Sequence, residues 1–334
     1  MASAFVVIVN YRTAQLVVDC LASLAIQRSV LWGGRTIVVD NDSGDDSMAR
    51  IVAAIDANGW SEWAEAIALP RNGGFAYGNN RAIERARELD PGFGAVVLLN
   101  PDTVVRPGAL RALLSHLDSH PRAGIAGASI EDERGIRQRT AHPFPSPLTE
   151  FVGGSQLGIA ARLLGRRADW SSMQGRSHEC DWVSGACFAV RREVLDQIGP
   201  LDEGFFLYFE EVDFCRRARR AGWSSWYVAD ARVVHREGSS TGIGELQRRR
   251  PAYWFASRRR YFAKAHGALG LVAADVLWAI GRASFVVRRA VGFGGANKIE
   301  QVPERFAVDL LVGDAKAIAR GDLQRQAGAR KDNA

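Results

Sequence analysis

The sequence predicts an α/β protein built on a mostly parallel, doubly wound sheet flanked by helices. Residues 4–11, Thr36–Asp40 and 94–99 are continuous apolar runs, the pattern of parallel strands covered on both faces. Segments with helical periodicity separate them. Each run also stops at a polar cluster: Asn10, then Asp40 with Asn41 and Asp42, then Asn100-Pro101-Asp102. Ligands of open α/β sheets bind beyond the carboxyl ends of the strands, so the convergence of the three clusters there says more than any one of them.

In chain order, the first strand leads to a helix over about 13–24. The second strand runs into the loop Asn41-Asp42-Ser43-Gly44-Asp45-Asp46 and a helix over 47–58. A short strand is expected near 66–69, then a helix over 78–89 and the strand 94–99. The pattern weakens from 140 to 175, where Pro143, Pro145 and Pro147 precede a basic patch at 162–167, so a mobile loop with short helices is expected. Regular structure resumes with a strand at 181–190 and a helix at 191–199. Short strands follow at 226–228 and 232–235. Beyond Pro251 the chain reads as amphipathic helices, ending in a frayed tail.

Hydrophobic residues make up 47% and charged residues 24%, which supports a sizeable core and excludes a globally disordered chain. The balance of 43 basic against 37 acidic residues gives +6, too mild to announce a nucleic-acid binder. Placement matters more. Arg248-Arg249-Arg250, Arg258-Arg259-Arg260 and Arg288-Arg289 crowd the C-terminal third, as suits an anionic membrane surface, a phosphorylated substrate or a solvated basic face. Cys20, Cys180, Cys187 and Cys215 lack metal-ligand spacing; Cys20 and Cys215 read as buried thiols in a reducing cytoplasm. No secretory signal is visible. The most apolar stretch, 267–287, is interrupted by Asp275 and Arg282, which argues against a membrane span.

The chemistry concentrates in four places. Asp40, at the end of the second strand, suits hydrogen bonding to a ribose or pyrimidine NH, whereas Asp42 and Ser43 fit turn roles. The turn Asn72-Gly73-Gly74-Phe75-Ala76-Tyr77-Gly78-Asn79-Asn80 offers backbone N–H groups to a phosphate, though it matches neither a dinucleotide nor a triphosphate fingerprint. Asp102 could hold a hard divalent cation, with His235 as a further ligand or a structural histidine. Finally, Phe205-Phe206-Leu207-Tyr208-Phe209-Glu210-Glu211-Val212-Asp213 sets three acids in an aromatic environment, where ionised carboxylates are costly. Asp213 precedes Arg216 and Arg217 at helical ion-pair spacing, while Glu210 and Glu211 fall at a helix entrance and point about 100° apart.

Together Val9-Asn10-Tyr11, Val39-Asp40-Asn41, Asn72-Gly73-Gly74-Phe75-Ala76, Leu99-Asn100-Pro101-Asp102, Gly185-Ala186-Cys187-Phe188 and the acidic run resemble the family 2 inverting glycosyltransferases of the GT-A fold, closest to the bacterial rhamnosyltransferase-like branch. The likeness covers about residues 4–240. It implies a GT-A catalytic domain over 1–245, with a donor half to about 105 and an acceptor half beyond it. Residues 246–334 form a helical, basic, amphipathic extension.

The resemblance further implies a dTDP- or UDP-sugar donor, first of all dTDP-rhamnose. The donor would be held by Asn10, Tyr11, Asp40, Asn41, Asn72, Gly73, Phe75, Ala76, Asn79, Asn100 and Asp102. Mg²⁺ or Mn²⁺ would sit on Asp102 and His235. Glu211 would be the general base, with Glu210 in reserve, and Trp182, Gly185 and Ala186 would lie near the acceptor. Many relatives carry Asp-x-Asp where this chain has Asn100-Pro101-Asp102, which leaves one carboxylate for the metal. The expected acceptor is a lipid-linked or oligosaccharide glycan at the cytoplasmic face of the membrane, with peripheral association; a homo-oligomer is left open. A sugar nucleotidyltransferase, which should show a basic, glycine-rich loop near the first strand, and a non-catalytic carbohydrate-binding protein are the rival readings.

Overall fold

The computed structural model describes residues 2–157, 173–236, 249–292 and 302–322. The basic patch at 162–167, Arg248 and the tail lie outside them. Contacts divide the chain into two units. The described residues of the first are 2–143, 173–206 and 210–236; those of the second are 144–157, 207–209, 249–292 and 302–322.

The first unit is a mixed sheet between helices. Strands β1 (Ala4–Asn10), β2 (Thr36–Asp40), β3 (Ala64–Ala68) and β4 (Ala95–Leu99) run parallel, with helices α1 (Ala14–Ala25), α2 (Ser47–Ala57) and α3 (Gly74–Leu89) in the connections. β1, β2 and β4 are buried at every position, as their unbroken apolar runs require. Then come β5 (Thr103–Val105), α4 (Ala109–Ser119), β6 (Ala123–Glu131), β7 (Ala141–His142), β8 (His178–Cys180), β9 (Trp182–Val183), β10 (Cys187–Arg191), α6 (Arg192–Ile198), α7 (Glu210–Arg220) and β11 (Ser224–His235). The main sheet has the order β3-β2-β1-β4-β10-β6-β11-β5, with β8 also paired to β11, while β7 and β9 form a separate ribbon.

Several expectations shift. α3 begins at Gly74 rather than 78, so Phe75 to Asn80 are helical and the glycine turn is shorter than read. The strand expected over 181–190 is split between β9 and β10. The two short strands near 226 and 232 are one strand, β11, irregular between Val228 and Arg232 where its register against β6 shifts. β6 and α4 gave no reading in the sequence. The strand Ala-Gly-Ile-Ala-Gly-Ala-Ser-Ile-Glu has small residues in place of the β-branched ones that mark a strand, because Val183 packs where a Cβ on Gly127 would stand.

Two pairings build the site. β1 and β2 lie in a register that sets Asn10 beside Asp40. β10 runs antiparallel to β4 with Cys187 opposite Leu99, which carries the residues before β10 to the carboxyl end of β4.

The second unit contains α5 (Pro147–Ser155), α8 (Ala252–Ala290) and α9 (Phe306–Ala319). α5 starts with a capping box, Ser146 accepting from Thr149 N. α8 breaks at Gly267, whose φ of +72° is open to glycine at no cost. By length and composition alone α8 is long and apolar enough to cross a membrane, although Asp275 and Arg282 interrupt it. Arg258 departs from every surface role that its cluster suggested, whether on head groups, a phosphorylated substrate or water. It is 1% exposed and its guanidinium donates to Glu150 (2.9 Å), Asp275 (2.9 Å) and Asp314 (3.0 Å), while Arg259 reaches Asp314 at 2.8 Å. A buried guanidinium needs such partners, and here they tie α5, α8 and α9 together.

Candidate active site

The polar strand ends form a bonded network. Asn10 Nδ2 donates to Asp40 Oδ1 at 2.5 Å, and Asn10 Oδ1 accepts from Thr13 N at 3.1 Å and Thr13 Oγ1 at 2.9 Å. Asp40 also accepts from Ser43 Oγ at 2.6 Å and Ser43 N at 3.1 Å. These bonds hold a buried carboxylate in one orientation and leave room for a further donor, since a carboxylate offers about four lone-pair sites. The sequence assigned Ser43 only to the turn; the structure makes it a hub that also accepts from Arg12 N at 2.9 Å and receives Arg12 Nε on its carbonyl at 2.8 Å. Tyr11 is 41% exposed, with the Arg12 guanidinium 5.2 Å from its ring.

The glycine turn is locked from both sides. Asn41 Nδ2 donates to Asn72 Oδ1 at 2.9 Å and Gly74 O at 3.0 Å, and Asn72 Oδ1 accepts from Gly74 N at 3.1 Å. Phe75 N donates to Phe206 O at 2.7 Å. Gly74 has φ +87°, and a Cβ there would lie 2.1 Å from Phe206 O. The turn is thereby tied to the segment entering the acidic helix. Ala76 is fully buried in α3. Asn79 is 1% exposed and donates to Phe75 O at 2.8 Å. Asn80, named in the sequence only as the end of this turn, is equally buried and clasps the Leu201 backbone, donating to its carbonyl at 2.9 Å and accepting its N–H at 3.0 Å. An asparagine pair on a buried helix face was the available signal.

Beyond β4, Asn100 N donates to Ala186 O at 2.9 Å and Asn100 O accepts from Thr103 Oγ1 at 2.7 Å. The β5–β11 pairing sets His235 opposite Thr103 and brings its Nε2 within 3.1 Å of Asp102 Oδ1. The Asp102 side chain is fully buried and the His235 ring is 16% exposed. One hard oxygen and one imidazole suit an ion that completes its shell with substrate oxygens and water, and Mn²⁺ accepts imidazole more readily than Mg²⁺. Among the described residues no group of three or more His, Cys, Asp or Glu could hold a metal.

α7 starts at Glu210, after Tyr208 and Phe209 in the left-handed region at φ +71° and +68°. Consecutive strained non-glycine residues persist where surrounding structure imposes them. The sequence set all the aromatics around the acids, but they part company: Phe205 is fully buried and Phe206 is 39% exposed, while Tyr208 stacks on Tyr253 and Phe209 packs on Trp254 and Tyr261 in the second unit.

The two glutamates differ. Glu210 is 3% exposed, and burial followed by the charge of Glu211 pushes its carboxyl well above the usual carboxylate range. Glu211 is half-buried and lies against Gly185, where a Cβ would stand 3.7 Å from the Glu211 Cγ, Cδ and Oε1. Asp213 takes the structural role its spacing suggested, pairing with Arg217 Nε at 2.9 Å. Trp182 donates to Pro143 O at 2.9 Å and stacks on His142, a ring that burial and Arg139 lower to about 4 and so keep neutral near pH 7.

The chain is 30% identical over 234 residues, 66% of its length and 71% of the relative's, to the N-acetylglucosaminyl-diphospho-decaprenol L-rhamnosyltransferase of Mycobacterium tuberculosis. It is 26% identical over 167 residues to rhamnosyltransferase WbbL of Escherichia coli K12, covering 48% of this chain and 60% of that one. Among solved structures it superposes on a mannosyltransferase from Pyrobaculum calidifontis in complex with GDP-Man and Mn²⁺, with a TM-score of 0.55 at 16% identity, covering 98% of this chain and 84% of that one. Residues 1–349 of S. aureus TarS give a TM-score of 0.50 at 16% identity, covering 97% of this chain and 83% of that one. These likenesses establish the GT-A glycosyltransferase fold. Residues 2–267 match the model of the glycosyltransferase-like family 2, and the chain belongs to that family.

Proposed function

We propose that this glycosyltransferase moves rhamnose, from dTDP-rhamnose, onto a polyprenyl-diphosphate-linked glycan during synthesis of a cell-envelope polysaccharide, with inversion at the anomeric carbon. A UDP-hexose is the alternative donor. The relative named for rhamnose transfer to a decaprenol-linked acceptor supports the substrate classes. The observation that carries the mechanism is the Glu211 carboxylate at the start of α7 beside Gly185, with Glu210 buried next to it.

Glu211 accepts the proton of the acceptor hydroxyl as that oxygen attacks the anomeric carbon; the bond to the diphosphate breaks and the nucleoside diphosphate leaves with the electron pair. Burial of Glu210 favours its protonated form, which lessens the like charge alongside Glu211. Asn10, Ser43 and Asp40 hold one another in orientation for the nucleoside, and the Asn72–Gly74 turn supports the donor from the other side. Asp102 and His235 would hold Mn²⁺ or Mg²⁺, which when bound supplies Lewis-acid stabilisation of the departing diphosphate. Trp182, Gly185 and Ala186 border the acceptor. An acceptor carried on a lipid keeps the enzyme peripheral to the cytoplasmic face of the membrane.

The test is a panel of nucleotide sugars read by released dTDP or UDP, run beside Glu211→Gln. The variant is expected to lose about 10²–10⁴-fold in turnover while its donor Kd stays within a few-fold of wild type. Undiminished turnover by Glu211→Gln would remove Glu211 from the role of base.

A further inference from the structure

The outer surface of the C-terminal helices has the opposite polarity from a helix in water. Every exposed residue of α8 from 268 to 287 is Ala, Leu, Val or Ile. Leu269 is 86% exposed, Val276 50%, Ile280 52% and Val287 61%. The ionisable residues of the same stretch turn inward: Asp275 bonds Arg258, and Arg282 is half-buried with its guanidinium 4.7 Å from the Phe285 ring. α9 repeats the pattern. Val308, Val312 and Ile318 are exposed, while Asp314 is buried on Arg258 and Arg259, and Asp309 pairs with Arg249 at 2.7 Å. A helix facing water shows its charges outward and its apolar stripe to the core. Here two separate helices of one unit do the reverse.

The face has the dimensions and chemistry of an interfacial anchor. Twenty residues of helix extend about 30 Å at about 1.5 Å per residue. The other side of α8 is occupied: Leu271, Ala274 and Trp278 are buried, and a Cβ on Gly281 would strike Phe151 O at 2.5 Å, so α5 lies directly on it. With protein on one side and apolar side chains on the other, the helix suits a position in the membrane plane rather than across it. Exposed Arg289, Lys316 and Arg320 stand at the ends of the two helices, where anionic head groups would meet them.

We propose that the α8 face running from Leu269 to Val287 is the surface by which this chain seats itself in the interfacial layer of an anionic bilayer. The inference rests on the membrane-linked reading of the acceptor and assigns it to residues. The full chain would be floated with vesicles of phosphatidylcholine containing about a third phosphatidylglycerol. Wild type is expected to float. A Leu269→Ser, Val276→Asp, Ile280→Asp variant, altered only at exposed positions, is expected to float at least tenfold less while retaining transfer to a short soluble acceptor.

Flotation of the variant equal to wild type would overturn the assignment. So would a wild type that transfers sugar but never floats, a result that leaves the proposed reaction standing. A dimeric wild type made monomeric by the variant, with no flotation by either, would give the face to a second copy instead. Lipid-borne quenchers of labels at Leu269 and Ile280 decide orientation: equal shallow quenching supports the in-plane seat, and a depth gradient between the two overturns it.

Discussion

Gly74→Ala tests whether the glycine turn and the acidic helix are mechanically one part. Gly74 sits at φ +87°, a conformation that costs an alanine about 1–2 kcal/mol. Its new Cβ would lie 2.1 Å from Phe206 O and 2.8 Å from Phe206 C and Cα, all backbone atoms with no rotamer to change. Relief requires Phe206 to move, which breaks the 2.7 Å bond from Phe75 N and costs about 0.5–1.5 kcal/mol more.

The expected loss is therefore about 1.5–3.5 kcal/mol, read from denaturant midpoints. Gly108→Ala is the control. Its φ of +84° carries the same conformational cost, but a Cβ there meets nothing within 4 Å, so about 1–2 kcal/mol is expected. Because Phe206 lies four residues before Glu210, Gly74→Ala should also lower kcat and weaken donor binding, whereas Gly108→Ala should leave both unchanged. Equal stability losses in the two variants, with activity intact in Gly74→Ala, would refute the coupling.

Buried charge and the Asp102–His235 pair carry the remaining predictions. The raised pKa of Glu210 means that its stabilising contribution is present below about pH 4.5 and is lost as pH rises through the folded-state value. Glu210→Gln should accordingly gain melting temperature relative to wild type at pH 8 compared with pH 5, and an identical difference at both would count against burial as the cause. Arg258→Met leaves Glu150 and Asp275 without their guanidinium and should destabilise the helical unit by about 3–5 kcal/mol, seen as a lowered melting transition. Asp102→Asn and His235→Ala should each weaken Mn²⁺ binding in the presence of UDP or dTDP by about 10-fold or more, read by the free-ion electron spin resonance signal. Unchanged Mn²⁺ affinity in both variants would place the ion elsewhere.

The sequence by itself determined what local patterning encodes. Unbroken apolar runs ending in Asn10, Asp40 and Asn100 marked three buried parallel strands and the sheet edge where polar groups collect. The spacing of Asp213 from Arg217 disclosed an ion pair because both partners lie on one helix. Glu210 and Glu211 stood out because two acids after an aromatic run exceed what a helix start needs.

Tertiary structure decided whatever depends on residues far apart in the chain. Asn80 grips Leu201 and Phe75 binds Phe206, contacts across more than a hundred positions with no local signature. β6 escaped notice because its small residues are chosen by the strands and side chains packed on it, and not by strand propensity. The direction of the C-terminal helices was also undecided in the sequence. Alternating arginines and apolar residues show that a helix is two-faced, but periodicity is silent on which face meets protein. Arg258, Asp275 and Asp314 answered that by pairing inside, since an ionised group removed from water must find its counter-charge there. The apolar side chains were left outside.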